Sequence, residues 1–366
     1  MLKCVFYILL GLNLIIAFRR KRVKSIEIIS WLFLIILISG RCEGPDYGTY
    51  LHEYNRTTNI INNDMLYQCL VNIGRGLKLE YNVFLFVLVS IAFCMIIYVI
   101  TKLKINTHVF IFFYMLFTVF YDAIQVNNFI ANAICILAVY MKVKDKKIVS
   151  LVLVLIASLI HSVSLVYLCM FLFSLEKERR NSMLIKFFVV FGGVLFGVCL
   201  FIPSVLMTIT YVFNNILSSS DIGTYLNTRV NNGYIIFIFL HLINVFMLIR
   251  CKKKISINLS PLQLYFLNVV NFINMAVILF YPLLLVNSNF YRIFRNYNIL
   301  IYICYAIVLS SYVIRNKNVY EKKYLKFLCS AILVSIIWYH FEIVQNDYSY
   351  IVQPILENNY FLGGWL

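Results

Sequence analysis

Arginine side chains beside a predicted membrane span are the first residues whose type suggests chemistry. Segment 291–297 reads Tyr-Arg-Ile-Phe-Arg-Asn-Tyr and places Arg292 and Arg295 three positions apart, on one face of a helix. Guanidinium groups bind phosphate and carboxylate with planar, two-pronged geometry. We therefore predict a catalytic role for Arg292 and substrate binding for Arg295 and the more distant Arg229. Snorkelling of these side chains to lipid headgroups is the structural alternative.

A turn with the sequence Gly-Pro-Asp-Tyr-Gly-Thr-Tyr at 44–50 is the second candidate. Gly and Pro favour a turn that presents Asp46 and Tyr47 at the surface. Carboxylates and aromatic rings together suit sugars, whose faces are apolar and whose rims are hydroxyls. The turn predicts Asp46 as a catalytic carboxylate and Tyr47 and Tyr50 as sugar contacts. An interfacial turn with tyrosines in the aromatic belt is the alternative.

Polar residues at or near membrane depth complete the candidates. His161 lies within the stretch Ala-Ser-Leu-Ile-His-Ser of an apolar segment. Burying an imidazole in the membrane costs free energy unless its nitrogens have hydrogen-bond partners, so we predict a catalytic role for it. Gln125 belongs to a polar break between two spans, and Glu80 directly precedes another span. Both are predicted to contact substrate. A structural histidine and a tight helix–helix turn are the corresponding structural explanations.

The elements that must position these residues are transmembrane helices. The chain has 366 residues, of which 62% are hydrophobic and only 13% are charged, and its net charge is +17. A soluble core of this length cannot hide so much apolar surface, and the basic residues fall in short clusters between apolar runs, unlike the single basic face of a nucleic-acid binder. Runs of about 20 apolar residues predict spans, near 2–18, 26–40, 81–100, 107–121, 126–141, 183–202, 234–250, 261–285, 299–314 and 324–341.

The apolar stretch 148–174 decides the topology. If it enters the membrane and returns, with a bend near His161, then all six basic loops share one side, as cytoplasmic loops do. On this reading 24 of the 32 Lys and Arg residues lie inside. We therefore predict an all-α polytopic membrane protein of about 11–12 transmembrane or re-entrant helices, with both termini outside. We predict a single multi-span domain over 1–366.

The outer side is the expected place for a site, because inner loops are short and plain. The predicted outer loops are 41–80, 203–233 and 287–298, and the outer tail is 342–366. Two of the ten cysteines, Cys42 and Cys69, lie there, either paired in a disulfide or free. The spacing of Cys and His suggests no metal site, and no cofactor is expected.

These pieces occur in an order that resembles the EpsG-like branch of bacterial Wzy-type polysaccharide polymerases. The resemblance spans most of the chain and rests on several short motifs: Gly-Pro-Asp-Tyr at 44–47, Gln125 with Asn128-Phe129-Ile130-Ala131, Ile160-His161-Ser162, the 291–297 segment, and Tyr348, Tyr350 and Tyr360 in the tail. The family pattern reads Gln-x-Arg-Asn-Phe-Ile-Ala, and this chain has Asn127 where that arginine would stand. Its role is lost here or supplied by another arginine, such as Arg229 or Arg292.

The resemblance implies a glycosyltransferase that polymerises oligosaccharide repeat units linked to undecaprenyl diphosphate. It would work in the bacterial inner membrane, with its site facing the periplasm or exterior. The lipid-linked donor and acceptor and the bilayer are the expected partners, a chain-length regulator is left open, and nucleic acid is not expected. Two other classes remain: a flippase or exporter of lipid-linked oligosaccharides, and a membrane acyltransferase that modifies polysaccharide.

Overall fold

A computed structural model of the chain describes residues 1–56, 64–174, 176–217, 233–255, 259–311, 317–341 and 348–363. The secondary structure of these residues is helical, apart from one isolated bridge between Arg41 and Asn359. The predicted all-α membrane fold is confirmed. Seven of the described helices are long and apolar enough to cross a membrane. They are Leu2–Arg19, Tyr81–Lys102, Thr107–Ile124, Val126–Val143, Glu178–Phe201, Pro261–Leu285 and Arg292–Ser311.

One of the seven spans, Pro261–Leu285, changes its helix type along its length. Helix Pro261–Ala276 begins with a capping box, in which the Ser260 hydroxyl accepts from the Gln263 amide and the Gln263 side chain accepts from the Ser260 amide. It continues as a 3₁₀ helix over Val277–Leu285, where Pro282 prevents regular α-helical bonding. The other described helices are Lys24–Ser39, Tyr47–Asn55, Met65–Gly76, Lys147–Ile160, Ser162–Leu172, Pro203–Leu217, Tyr234–Ile255, Ser288–Tyr291, Lys317–Tyr339, Tyr348–Val352 and Gln353–Glu357.

The 148–174 stretch bends at His161, as predicted. The α-helix Lys147–Ile160 ends there, and a 3₁₀ helix follows over Ser162–Leu172. The Lys142 ammonium lies 5.3 Å from the centre of the Phe171 ring, so the end of the second segment reaches the level at which the first begins. The two segments therefore form a hairpin with His161 at its tip.

Polar contacts gather at two opposite ends of the helices. At one end, which we call the basic end, Arg20 contacts Glu321, and the Gln263 side chain donates to the Leu103 carbonyl over 2.8 Å. At the other, which we call the site end, lie the starts of helices Tyr47–Asn55 and Val126–Val143 and the hairpin tip. Helix Leu2–Arg19 packs against Gln353–Glu357, so both ends of the described chain meet at the site end.

All three predicted outer loops are partly helical, and 287–298 contains the short helices Ser288–Tyr291 and Arg292–Arg295. The 41–80 segment contains the helices Tyr47–Asn55 and Met65–Gly76, which pack over the site end through Tyr54, Tyr81 and Phe84. Helix Pro203–Leu217 occupies the first half of 203–233. Residues 342–347, at the start of the predicted tail, are outside the described residues. Cys42 and Cys69 are both free thiols.

Candidate active site

Arg41 anchors the loop that follows helix Lys24–Ser39. Its side chain is fully buried and donates to the Pro45 carbonyl over 2.9 Å and to the Ile124 carbonyl over 3.0 Å. Burial lowers the pKa of its guanidinium, because a cation is less stable away from water. Arg41 therefore joins the Gly-Pro turn to the end of the span Thr107–Ile124, which fixes where the turn stands.

The turn itself requires unusual backbone angles. Gly44 has φ of 99° and Asp46 has φ of 61°, both in the left-handed region, where glycine and aspartate are tolerated best. The Asp46 side chain is exposed, as predicted for a presented carboxylate. Tyr47 is placed differently, because its hydroxyl donates to the Asn82 side chain over 3.1 Å and its ring packs 5.7 Å from the Tyr81 ring. Tyr47 is half-buried by these contacts, and its role as a sugar contact stays a prediction.

His161 meets an acid that the sequence analysis did not select. The backbone at His161 is extended, with φ of −154° and ψ of 117°, and turns the imidazole toward Asp64. The Nδ1 atom of His161 lies 3.8 Å from Asp64 Oδ2, and both side chains are about a quarter exposed. Asp64 Oδ2 also accepts a hydrogen bond from the Asn127 side chain over 3.0 Å. The Tyr50 hydroxyl donates to the other end of that amide over 3.2 Å.

Tyr50 is the centre of the charges at the site end. Burial raises the pKa of its phenol, and the negative charges of Asp46 and Asp64 raise it further, whereas the positive charges of Arg292 and Arg41 lower it. The charges of two predicted catalytic residues, Asp46 and Arg292, therefore both act on one predicted substrate contact. The arrangement combines acids and cations around a hydroxyl that points toward Asn127.

The two arginines of segment 291–297 have different surroundings. Arg295 is buried and donates to the Gln125 side chain over 2.5 Å, and its guanidinium lies 4.1 Å from the centre of the Tyr121 ring. Arg292 is half-buried and lies close enough to Tyr50 to act on its phenol. Arg295 therefore fixes the segment, and Arg292 is the arginine of the pair with more solvent access.

A ladder of amides joins the arginine segment to the hairpin. Asn128 and Asn296 exchange two side-chain hydrogen bonds of 2.7 and 2.9 Å. One helical turn along, the Asn132 side chain donates to the Asn296 carbonyl over 2.8 Å and accepts from the Tyr167 hydroxyl over 2.6 Å. These bonds hold His161, Asn127 and Arg295 in one packed assembly. Buried amides of this kind are stable because each finds a partner.

The remaining predicted site residues, Glu80 and Arg229, are not among these contacts. Glu80 is exposed and accepts from the Tyr360 hydroxyl, so it contacts the C-terminal segment. Arg229 falls within 218–232, outside the described residues. Sequence reasoning missed Asp64, although an acid directly before a helix in the outer segment was a usable signal. It noted Asn127 only as a departure from a family pattern.

The architecture and the site together define a multi-span membrane protein with a polar, mixed-charge site at the end opposite its basic loops. Comparison with known families identifies it further: the chain belongs to the EpsG family, whose pattern matches residues 25–354. EpsG is a family of Wzy-like polymerases, which points to polysaccharide polymerisation or glycosyl transfer at a membrane. The match covers all the site contacts described above except those of the C-terminal segment. No curated protein and no solved structure matches the chain.

Proposed function

We propose that the protein is a membrane glycosyltransferase that polymerises oligosaccharide repeat units carried on undecaprenyl diphosphate. The observation that supports this most is the grouping of Arg292, Tyr50, Asp46 and the Asp64–His161 pair at one end of the helices. A sugar transfer from a diphosphate needs a cation for the leaving group and a base for the attacking hydroxyl. Both kinds of residue are present within this group.

The site faces the outside of the bacterial inner membrane in this proposal. Lys142 and the loop 142–147 lie at the basic end, and lysine-rich loops of this kind remain in the cytoplasm. His161 at the hairpin tip and Arg295 lie at the opposite end. Diphosphate headgroups of lipid-linked sugars on the outer leaflet reach this level, and their lipid tails lie between the spans.

The cation acts on the bond that breaks. An acceptor sugar hydroxyl attacks C1 of the donor sugar, the C1–O bond to the diphosphate breaks, and the diphosphate leaves with the electron pair. Arg292 binds the diphosphate and stabilises the negative charge that develops on it. Arg295, fixed by Gln125 and Tyr121, holds the segment so that Arg292 is preorganised. Undecaprenyl diphosphate is released, and the polymer is now attached to the acceptor's lipid.

The base takes the proton of the acceptor hydroxyl. His161 is the preferred base, because its ring retains solvent access and a carboxylate lies beside it. Asp46, exposed at the start of helix Tyr47–Asn55, is the second candidate. Tyr50 and Asn127 lie between them and are suited to contact sugar hydroxyls. A positioned base of this kind contributes about 10²–10⁴-fold to rate.

The test is an assay of the purified protein with a lipid-linked repeat unit, scored for a ladder of polymer lengths. We expect Arg292→Gln to lower the rate by about 10²–10³-fold and His161→Gln by about 10²–10⁴-fold. Matched controls are Arg56→Gln and His52→Gln, which change exposed side chains of the same types and should leave the ladder unchanged. A normal ladder from both Arg292→Gln and His161→Gln would reject the assignment.

A further inference from the structure

The Asp64 carboxylate occupies a position that helix capping alone does not explain. Asp64 is the N-cap residue of helix Met65–Gly76, where an aspartate usually accepts from the first-turn amides. No side-chain capping bond is present here. Instead, Oδ2 accepts from Asn127 over 3.0 Å and faces His161 over 3.8 Å. The carboxylate is directed away from its own helix and toward the hairpin tip.

The two nitrogens of His161 are not equivalent. Nδ1, the atom nearest Asp64, is buried and has no hydrogen-bond partner, whereas the side chain as a whole is 21% exposed. The exposed surface therefore belongs to the rest of the ring. A ring oriented in this way can present Nε2 to a substrate while Nδ1 faces the carboxylate. The separation of 3.8 Å is longer than a hydrogen bond, and such contacts often tighten only when substrate binds.

We propose that Asp64 is the positioning residue for His161, an inference that rests on the polymerase function proposed above. Its carboxylate holds the proton on Nδ1, so that Nε2 carries the lone pair that accepts the acceptor hydroxyl's proton. When the C1–O bond forms and the proton moves to Nε2, the ring becomes cationic and Asp64 stabilises it. The aspartate of a Ser-His-Asp hydrolase orients its histidine base in the same way. Here the reaction would be transfer of a sugar to a hydroxyl group.

The surroundings of Asp64 support a fixed orientation. Asn127 donates to Oδ2, and the Tyr50 hydroxyl donates to the Asn127 oxygen, so the carboxylate oxygen that faces the imidazole is also held by a hydrogen bond. Helix Met65–Gly76 packs against helix Lys147–Ile160, whose end carries His161. The acid and the base are therefore held by two elements that touch, and the side-chain contact is supported by backbone packing.

The experiment uses the full-length purified enzyme and measures kcat and KM for polymer formation. Asp64→Asn keeps an oxygen that can accept from Asn127 but removes the charge. We expect kcat to fall about 10²-fold or more with little change in KM, and Asp64→Glu to recover part of the loss. Asp64→Ser, which retains a good N-cap residue, serves as a second variant if Asp64→Asn folds poorly. Glu357→Gln, an exposed acid at the same end, is the matched control and should keep the wild-type kcat.

A double variant distinguishes positioning from an independent role. If Asp64 acts through His161, then Asp64→Asn combined with His161→Gln is no slower than His161→Gln alone. Losses that multiply would overturn the inference, as would a wild-type kcat for both Asp64→Asn and Asp64→Ser. Either result leaves the proposed function intact as long as His161→Gln alone is slow. A fully active His161→Gln would overturn the inference and leave Asp46 as the base of the proposed function.

Discussion

The bond between Gln125 and Arg295 offers the sharpest test of how the site end is held together. The two residues are 170 positions apart, and both are buried. Gln125 stands at the junction of the spans Thr107–Ile124 and Val126–Val143. Replacing it with leucine keeps a similar volume but removes the acceptor of a charged donor. The guanidinium then remains buried beside the Tyr121 ring without this acceptor.

The expected loss follows from the type of bond. Hydrogen bonds to charged groups contribute about 1.5–3 kcal/mol, and a buried charged donor without its acceptor keeps its desolvation cost. Gln125→Leu should therefore lower the free energy of unfolding by about 1.5–3 kcal/mol, which is about 10–150-fold in the folded-to-unfolded ratio. Arg295→Met removes the donor instead. In the double variant, the second change should cost less than it does alone by a similar amount.

The measurement is a double-mutant cycle of unfolding free energies in detergent micelles under conditions where unfolding is reversible. Gln353→Leu is the matched control, because Gln353 is an exposed glutamine whose amide bonds only to Glu357 among its described contacts. It should change stability by less than about 0.5 kcal/mol. Coupling between Gln125→Leu and Arg295→Met of less than about 0.5 kcal/mol would show that the two side chains act independently. That result would refute the reasoning.

Two further predictions concern packing and topology. A Cβ on Gly74 would lie 2.6 Å from a Phe84 ring carbon, whereas one on Gly193 meets nothing within 4 Å. Both gain helix propensity from alanine, so Gly74→Ala should be less stable than Gly193→Ala by about 1–3 kcal/mol in thermal or chemical unfolding. In a cysteine-free background, cysteines at positions 145 and 176 should both react with a membrane-impermeant reagent applied from the cytoplasmic side only. Labelling of the two positions from opposite sides would show that the hairpin does not return.

Hydropathy and loop charge were sufficient to predict most of the fold. Apolar length is a local property, and the bilayer imposes it directly, so the predicted spans agree with the described helices to within a few residues at most ends. The hairpin was predicted from charge alone, because only a return at 148–174 keeps the lysine-rich loops on one side. The Lys142–Phe171 contact and the helix break at His161 agree with that reasoning.

The site was less predictable, because its contacts join distant parts of the chain. Asp64 and Asn127 meet across 63 positions, and no local pattern predicts that Asp64 faces His161. Tyr47 was expected to present its ring, but packing against Tyr81 and the bond to Asn82 could not be read from the turn sequence. Residue type indicated which side chains can do chemistry. Helix packing determines which of them meet.

The arginines at the site end show why residue type alone does not assign a role. Arg41 and Arg295 are buried, and each donates to a neutral oxygen of the span junction at 124–125, so each stabilises the scaffold. Arg292 is half-buried, and its positive charge lowers the pKa of the Tyr50 phenol. Replacing a buried arginine leaves its acceptor oxygens without a donor or creates a cavity, and either change lowers the stability of the protein. Activity then falls as a consequence of the lower stability. Activity loss alone therefore does not identify the phosphate-binding arginine, whereas activity loss at unchanged stability does, and this geometry predicts that combination for Arg292.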